Sequence, residues 1–176
     1  LGVRGEVPAL PPIVHLEADG QMLEIVIPTL VDPSAAPRGY HTIELMSLVD
    51  PASAAGWFDD PSDPQATTQR RSTTYLDRKA RQADAMIDAL AGLIPDLRQR
   101  IVCRYEASPV TFRRFGFSTL GAVYGVQAPL RRLPRRSPLP GLVFGGAMTA
   151  GPGVEAAMIG GAQAAAALMP GLLSGS

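Results

Sequence analysis

The sequence predicts a mixed α/β chain that does not complete a fold by itself, and three segments carry this prediction. Residues 23–28, LEIVIP, are rich in β-branched side chains, which predicts a short buried strand. Residues 74–94 repeat apolar side chains at helical spacing. Residues 142–169 predict a strand, a glycine-rich turn and a helix from about residue 154. The first two segments build one α+β portion, and the third must pack against a sheet that lies elsewhere.

The remaining elements follow from turn residues and composition. Prolines at positions 8, 11 and 12 indicate an irregular lead-in, and residues 40–49 form a second extended run. Residues 50–69, rich in Pro, Asp, Ser and Ala, predict a long loop. Two further strands are expected at residues 101–105 and 110–115, with a turn at Ser108 and Pro109 between them. Residues 130–141 are expected to be a linker.

The helix over residues 74–94 has an apolar face and a charged face, which is typical of a packing helix. Thr73 or Thr74 is the expected N-cap, and Gly92 with Pro95 forms a stop signal. The apolar face consists of Leu76, Ala80, Ala83, Ile87, Leu90 and Ile94.

Composition excludes several classes of function. The chain has 176 residues, 46% of them hydrophobic, which suffices for the core of one domain. Sixteen basic and sixteen acidic residues balance, so no general attraction to nucleic acid is expected. The single cysteine, Cys103, excludes an internal disulfide and a CxxC metal site. We expect no signal peptide, no spanning helix and a cytoplasmic location, with peripheral membrane contact left open.

Gly151, Gly153 and Ala156 match the dinucleotide fingerprint G-x-G-x-x-G/A, after a predicted strand and at the start of a helix. A complete nucleotide-binding unit also needs a second parallel strand and an acidic residue about 20 positions further on. The sequence supplies neither after this helix. We therefore expect the unit to close a nucleotide-binding domain that begins elsewhere.

The glycine turn has a physical meaning of its own. Glycines let backbone approach a ligand closely, and the free N–H groups at a helix start attract anionic oxygen. A stripe of small residues at Ala156, Gly160 and Ala164 allows the helix to lie close to another backbone. The alternative is a tightly packed Gly/Ala-rich helix without a ligand, and spacing alone does not separate the two.

Three ordered blocks resemble the phytoene desaturases, carotenoid isomerases and related FAD-dependent, amine oxidase-like flavoproteins. The closing block, SPLPGLVFGGAMTAGPGVEAAMIGGAQAAAAL, is preceded by IPTLVDPSAAPRGYHTIEL and by a run from DAMIDALAGLIPDLRQRIV through ASPVTFRRF to GAVYG. The resemblance covers residues 25–168, and three blocks in order are more specific than one glycine motif.

The resemblance implies a function for the whole protein and a division of this chain. Residues 1–140 would be a substrate-domain portion with a linker, and residues 141–176 would be the strand, turn and helix that complete a Rossmann-like FAD domain. The parent protein would be an oxidoreductase of carotenoid biosynthesis that transfers hydride between FAD and an apolar, carotenoid-like or isoprenoid-like substrate. The chain alone, as a fragment of that flavoprotein, is expected to be inactive.

The same resemblance implies the cofactor contacts. In such enzymes the start of the closing helix faces the flavin ring and the ribityl chain. The residues that would line the FAD site are Gly145, Gly146, Ala147, Gly153, Val154 and Glu155. Many relatives carry a Thr-His-Pro-like run where this chain has Met148, Thr149 and Ala150, so no histidine role transfers. No catalytic side chain is predicted.

The N-terminal glycine-rich motif of the family, which holds the FAD pyrophosphate, is absent from this sequence. The chain is expected either to be cut from a longer protein or to pair with a separate chain that carries the FAD-binding half. Homo-oligomerisation also stays open. The rival hypothesis is a non-catalytic binding or interaction module derived from such an enzyme.

The remaining reactive or aromatic side chains have simpler interpretations. His15 and His41 lack metal-ligand spacing, so surface or packing roles are expected. Cys103 is expected to be a small buried hydrophobe. Trp57 and Phe58 are expected to anchor their loop, with contact to an apolar substrate or a membrane as the alternative.

Four arginines fall within six residues of the predicted linker: Arg131, Arg132, Arg135 and Arg136. They predict a solvated segment, and the alternative is contact with an anionic surface such as lipid headgroups.

Overall fold

The computed structural model describes residues 1–18, 20–59, 72–122 and 136–173. The chain forms two compact units, Leu1–Val110 and Thr111–Ser176, which we call the first and the second unit. The first unit combines helices with two antiparallel sheets of three strands each. The predicted mixture of helices and strands is therefore confirmed. The functional division expected near residue 140 stays a prediction.

The first sheet has the order β2-β3-β5 and is antiparallel throughout. Its strands are β2 (Ile13–Ala18), β3 (Gln21–Val26) and β5 (Glu44–Ser47). Leu23 and Ile25 of β3 are buried, so the strand predicted over residues 23–28 is confirmed. Strand β2 was not predicted, because the prolines before it suggested an irregular lead-in.

The second sheet has the order β4-β1-β6, again antiparallel. Its strands are β1 (Gly2–Arg4), β4 (Tyr40–Thr42) and β6 (Ile101–Cys103). The extended run predicted over residues 40–49 is thus divided between two sheets. The division falls at Ile43, whose backbone N–H donates to the carbonyl oxygen of Leu1 at 2.9 Å.

Helix α2 (Thr73–Ala91) closes the core of the first unit, and its prediction is confirmed. The N-cap is Ser72, whose Oγ accepts a hydrogen bond from the backbone N–H of Tyr75 at 3.2 Å, so the expected caps Thr73 and Thr74 are wrong. Gly92 ends the helix as predicted. The buried core joins side chains from both sheets to the end of α2 and the segment after it: Val3, Ile25, Ile27, Ile43, Ile87, Leu90, Ile94 and Leu97.

Two expectations for connecting segments are wrong. The predicted loop over residues 50–69 begins with helix α1 (Pro51–Ala55), because the Asp50 side chain accepts hydrogen bonds from two backbone N–H groups in its first turn. Residues 60–69 of that loop lie outside the described residues. The strand expected over residues 110–115 is helix α4 (Pro109–Gly116), since a proline at the first helical position favours a helix start. A short helix, α3 (Leu97–Arg100), precedes β6.

The second unit contains α5 (Ala147–Ala150) and α6 (Val154–Leu168). The helix predicted from about residue 154 is confirmed. The strand expected over residues 142–145 is wrong, because the described part of this unit pairs Val143 with Arg136 only as an isolated bridge. Residues 130–135 of the predicted linker lie outside the described residues. Within the described ranges, no helix is both long and apolar enough to cross a membrane.

Candidate functional site

Two glycines with positive φ stand at the starts of α5 and α6. Gly146 is the N-cap of α5 with φ 86°, and Gly153 is the N-cap of α6 with φ 92°. Neither helix start has a side-chain cap. The first backbone N–H groups of α6 therefore have no side-chain cap. Such groups at a helix start can donate to an acceptor from outside the helix.

Close packing explains two other glycines of the segment. A Cβ atom at position 160 would lie 2.6 Å from the carbonyl oxygen of Gly146, and one at position 145 would lie 3.3 Å from Cβ of Ala164. Gly160 and Ala164 are buried. The small-residue stripe on α6 thus packs against the turn before α5, as the packing interpretation expects.

Packing does not explain Gly146 and Gly153. A Cβ atom at either position would have no described heavy atom within 4 Å. Each glycine is required instead by its positive φ, which side-chain-bearing residues rarely adopt. The backbone of Gly153 is exposed and consequently accessible to a group from outside the segment, whereas the backbone of Gly146 packs against Gly160.

Thr149 fixes the turn, and the sequence reasoning did not assign it a role. Its side chain is 6% exposed, and its Oγ1 donates to the carbonyl oxygen of Gly146 at 2.9 Å. Its backbone N–H donates to the same oxygen at 3.1 Å. The sequence signal for this role was a hydroxyl residue within an otherwise apolar Met-Thr-Ala run, because a hydroxyl that becomes buried needs a hydrogen-bond partner.

The six predicted cofactor contacts fall into two groups along α6. Gly145, Gly146 and Ala147 lie beside the middle of the helix, because Gly146 approaches Gly160. Gly153, Val154 and Glu155 lie at its start. Seven residues of helix separate position 153 from position 160, which corresponds to about 10 Å at the usual rise. As flavin contacts, all six stay predictions.

The start of α6 is solvent-exposed on an apolar side. Val154 is 78% exposed and Met158, one turn later, is 70% exposed. Glu155, in the first turn, is also exposed and complements the partial positive charge of the helix start. On the same helix, Oε1 of Gln163 is buried and has no hydrogen-bond partner among the described residues.

The histidines and the cysteine lie in the first unit. Nε2 of His15 is 3.2 Å from Oε2 of Glu24, and Nδ1 of His41 is 2.9 Å from Oγ1 of Thr29. No cluster of three metal-ligating side chains occurs within the described ranges. Cys103 is exposed, so its expected burial is wrong. Its Sγ leans over Gly2, where a Cβ atom would lie 2.5 Å away, and it borders an open groove of about 300 Å³.

Trp57 and Phe58 are 8% and 6% exposed, which confirms the expectation of a loop anchor. Trp57 meets the ring of Tyr75 edge to face at 6.3 Å, and the Arg78 guanidinium lies 4.2 Å from its centroid. The alternative contact with a substrate or membrane is wrong for these buried rings. In the predicted arginine cluster, Arg131, Arg132 and Arg135 lie outside the described residues.

A charged network on α2 holds the end of β6. Asp84 accepts hydrogen bonds from Arg104 at 2.7 Å and from Arg98 at 3.3 Å. The hydrogen bond from Arg104 first, and then that from Arg98, lower the pKa of the Asp84 carboxyl. The network joins α2 to α3 through Arg98 and to the residue after β6 through Arg104, and we assign it a structural role.

Comparison with protein-family models, with curated proteins and with solved structures finds no match to this chain.

Proposed function

We propose that this chain is the C-terminal, cofactor-contacting portion of an FAD-dependent oxidoreductase that transfers hydride to or from an apolar, polyene or isoprenoid substrate. The proposal rests on the three ordered sequence blocks that resemble phytoene desaturases and carotenoid isomerases. The observation that carries it is the start of α6, where Gly153 has φ 92°, no side-chain cap and open space beside it. Such a start supports close approach of a cofactor to backbone N–H groups.

The charge at this helix start favours one end of FAD over the other. Glu155 places a carboxylate in the first turn of α6, which disfavours a phosphate group there. The flavin ring and ribityl chain carry no such charge in the oxidised state. The start of α6 therefore fits the flavin end of FAD, while the pyrophosphate belongs to a site on the missing half.

Bound FAD would supply the hydride chemistry. The contribution of this chain is positional and electrostatic. The backbone N–H groups of Val154 and Glu155 would donate hydrogen bonds to an acceptor atom of a group held at the start of α6. Gly153 admits that group without steric conflict, and Thr149 keeps the preceding turn in one conformation through its two hydrogen bonds to Gly146.

An FAD-binding half, in the same or a separate chain, is the proposed partner. The exposed apolar side of α6 supports a covering surface, because Val154 and Met158 are largely exposed. The chain alone is proposed to be inactive. A cytoplasmic location of the parent protein belongs to the same proposal.

Two matched glycine variants of the flavin-loaded parent protein test the site. Gly153 and Gly141 both have positive φ and open space for a Cβ atom, but Gly141 lies before the turn and outside the predicted contacts. We expect Gly153→Val to lower the bound flavin, measured by visible absorption, at least tenfold, and Gly141→Val to leave it unchanged. Full flavin content in the Gly153→Val protein would refute the assignment of the flavin site to the start of α6.

A second candidate function is a non-catalytic interaction module. The packing of Gly145 and Gly160 favours it, because these two glycines have an explanation within the chain. The two candidates differ in the behaviour of the purified chain. A severed oxidoreductase portion should stay colourless with FAD and self-associate on size-exclusion chromatography, whereas a self-sufficient module should be monomeric.

A further inference from the structure

The β2-β3-β5 sheet has one face on the core of the first unit and a second face, which we call the outer face. Leu23 and Ile25 point to the core side and are buried. Glu24 lies between them, opposite His15 on β2 and opposite Met46 on β5. Because side chains alternate along a strand, pairing defines the remaining members of the outer face. The outer face consists of Ile13, His15, Glu17, Met22, Glu24, Val26, Glu44 and Met46.

The outer face combines exposed apolar side chains with an excess of negative charge. Ile13 is 55% exposed and Met22 is 54% exposed. Glu17 and Glu44 are exposed as well. The three strands contain no lysine and no arginine. A sheet face of this kind fits a partner that carries both apolar side chains and positive charge.

The three glutamates of the outer face oppose pairing of this face with itself. Two copies that met through the same face would bring the glutamates of each copy against those of the other. Like charges placed opposite each other across an interface are strongly unfavourable and exclude wrong partners. A partner surface therefore has to be different from the outer face and opposite to it in charge.

The second unit of the same chain has the complementary charge. It carries six arginines and one acidic residue, Glu155, whereas the first unit carries fifteen acidic and ten basic residues. The sequence has no acidic residue between Glu106 and Glu155. The balanced charge of the whole chain thus conceals two units of opposite sign. A second copy of the chain consequently supplies a cationic surface for the outer face.

The α4 tip, defined as Phe112, Arg114, Phe115 and Phe117, combines this positive charge with apolar rings. The three phenylalanines are 39%, 70% and 91% exposed in chain order. Arg114 is exposed, and its Cζ lies 4.9 Å from the centroid of the Phe115 ring. Aromatic rings and arginine are enriched where proteins bind each other. The α4 tip therefore has both properties that the outer face requires of a partner.

We propose that the outer face of one copy of this chain binds the α4 tip of a second copy. The glutamates of the outer face attract the guanidinium of Arg114. The phenylalanine rings cover the exposed side chains of Ile13 and Met22. The inference stands on charge and exposure in the two surfaces and does not depend on the flavin function proposed for α6.

Sedimentation velocity of the full chain, over a range of protein and salt concentrations, tests the proposal. We expect reversible self-association at low salt that weakens at least tenfold at about 1 M salt, where the screening length is about 3 Å. Glu17→Arg and Arg114→Glu should each weaken the association about tenfold, because each places like charges across the contact.

An equimolar mixture of the two variants separates a contact between copies from a loss of folding. The outer face of the Arg114→Glu copy keeps Glu17, and the α4 tip of the Glu17→Arg copy keeps Arg114. The mixture thus retains one unchanged contact. We expect it to associate nearly as tightly as the unmodified chain, although each variant alone does not. Docking within a single chain would show no such rescue.

Two control variants change the net charge by the same amounts elsewhere. Asp77 on α2 and Arg38 are exposed and lie outside both surfaces, so Asp77→Arg and Arg38→Glu should leave the association unchanged. Circular dichroism checks that each variant is folded. A chain that is monomeric at every concentration, a mixture without rescue, or equal losses in the controls would each overturn the proposal. Self-association that resists both salt and the two reversals would overturn it as well and would match the apolar side of α6 instead.

Discussion

The first unit contains a buried apolar core, whereas the described part of the second unit exposes most of its large apolar side chains. All the buried apolar side chains of the described residues except Ala164 belong to the first unit. In the second unit, residues such as Phe117, Val154 and Met158 are at least 70% exposed. The first unit can therefore be stabilised by its own core, while the second depends on close backbone packing and on whatever surface covers it.

A cavity in the core of the first unit is the strongest test of whether that core stabilises the unit. Leu90 is fully buried at the end of α2, so Leu90→Ala should lower the free energy of unfolding by about 3 kcal/mol. Leu76 on the same helix is 48% exposed, and Leu76→Ala should change it by less than about 1 kcal/mol. Urea denaturation measures both. Equal losses would mean that the core is not where the first unit derives its stability.

The second unit can be tested by two neighbouring glycines with opposite expected effects. A Cβ atom at Gly160 would collide with the Gly146 backbone, whereas one at Gly161 would meet no described atom within 4 Å. Gly160→Ala should destabilise the α5–α6 packing by about 2 kcal/mol. Gly161→Ala should stabilise α6 by about 0.5 kcal/mol, since alanine favours helix.

Hydrogen exchange of the α6 amides measures both glycine variants. Protection should fall in the Gly160→Ala protein and rise in the Gly161→Ala protein, with the amides of β3 unaffected in each. Loss of protection in β3 as well would show that the two units do not unfold independently.

The smallest expected effect is on the stability of the first unit at acid pH. Hydrogen bonds from Arg104 and from Arg98 lower the pKa of the Asp84 carboxyl in the folded state below its ordinary value of 3.8. The ionised carboxylate therefore stabilises the fold above that value, and this contribution is lost as the pH falls through 3.8 towards the lowered pKa.

Asp84→Asn should flatten the dependence of stability on pH in this acid range. Arg104→Gln should reproduce more of the change than Arg98→Gln, because Arg104 makes the larger contribution to the lowered pKa. Thermal unfolding between neutral and acid pH checks the order. A steeper acid dependence in the asparagine variant would contradict the assigned sign.

Segments with a clear local pattern were predictable from the sequence, and segments decided by single contacts were not. Helix α2 follows from apolar spacing over many residues, strand β3 from its β-branched composition, and helix α6 from the glycine-rich turn that precedes it. The α4 segment, PVTFRRFG, is rich in β-branched and aromatic side chains, which favoured a strand, yet it is a helix that begins at Pro109. The Asp-Gly pair at positions 19 and 20 was a hairpin signal for the unpredicted strand β2.

The candidate site was predictable only in part. The glycines at the helix starts and the small stripe on α6 are visible in the sequence. The approach of Gly160 to Gly146 and the hydrogen bonds of Thr149 are not, because they depend on how α5 folds back. The net charge of the whole chain was equally uninformative, because the net negative charge of the first unit and the net positive charge of the second unit cancel.

Strand β1 has a consequence for the order of folding. It lies between β4 and β6, so its partners are about 40 and about 100 residues away along the chain. The hairpin of β2 and β3 can pair as soon as both strands exist, and β5 joins it from residue 44. The β4-β1-β6 sheet must wait for residue 101. During synthesis β1 thus emerges before both of its partners and is among the last strands of the first unit to be fully paired, so loop closure over that separation is expected to slow folding of the first unit.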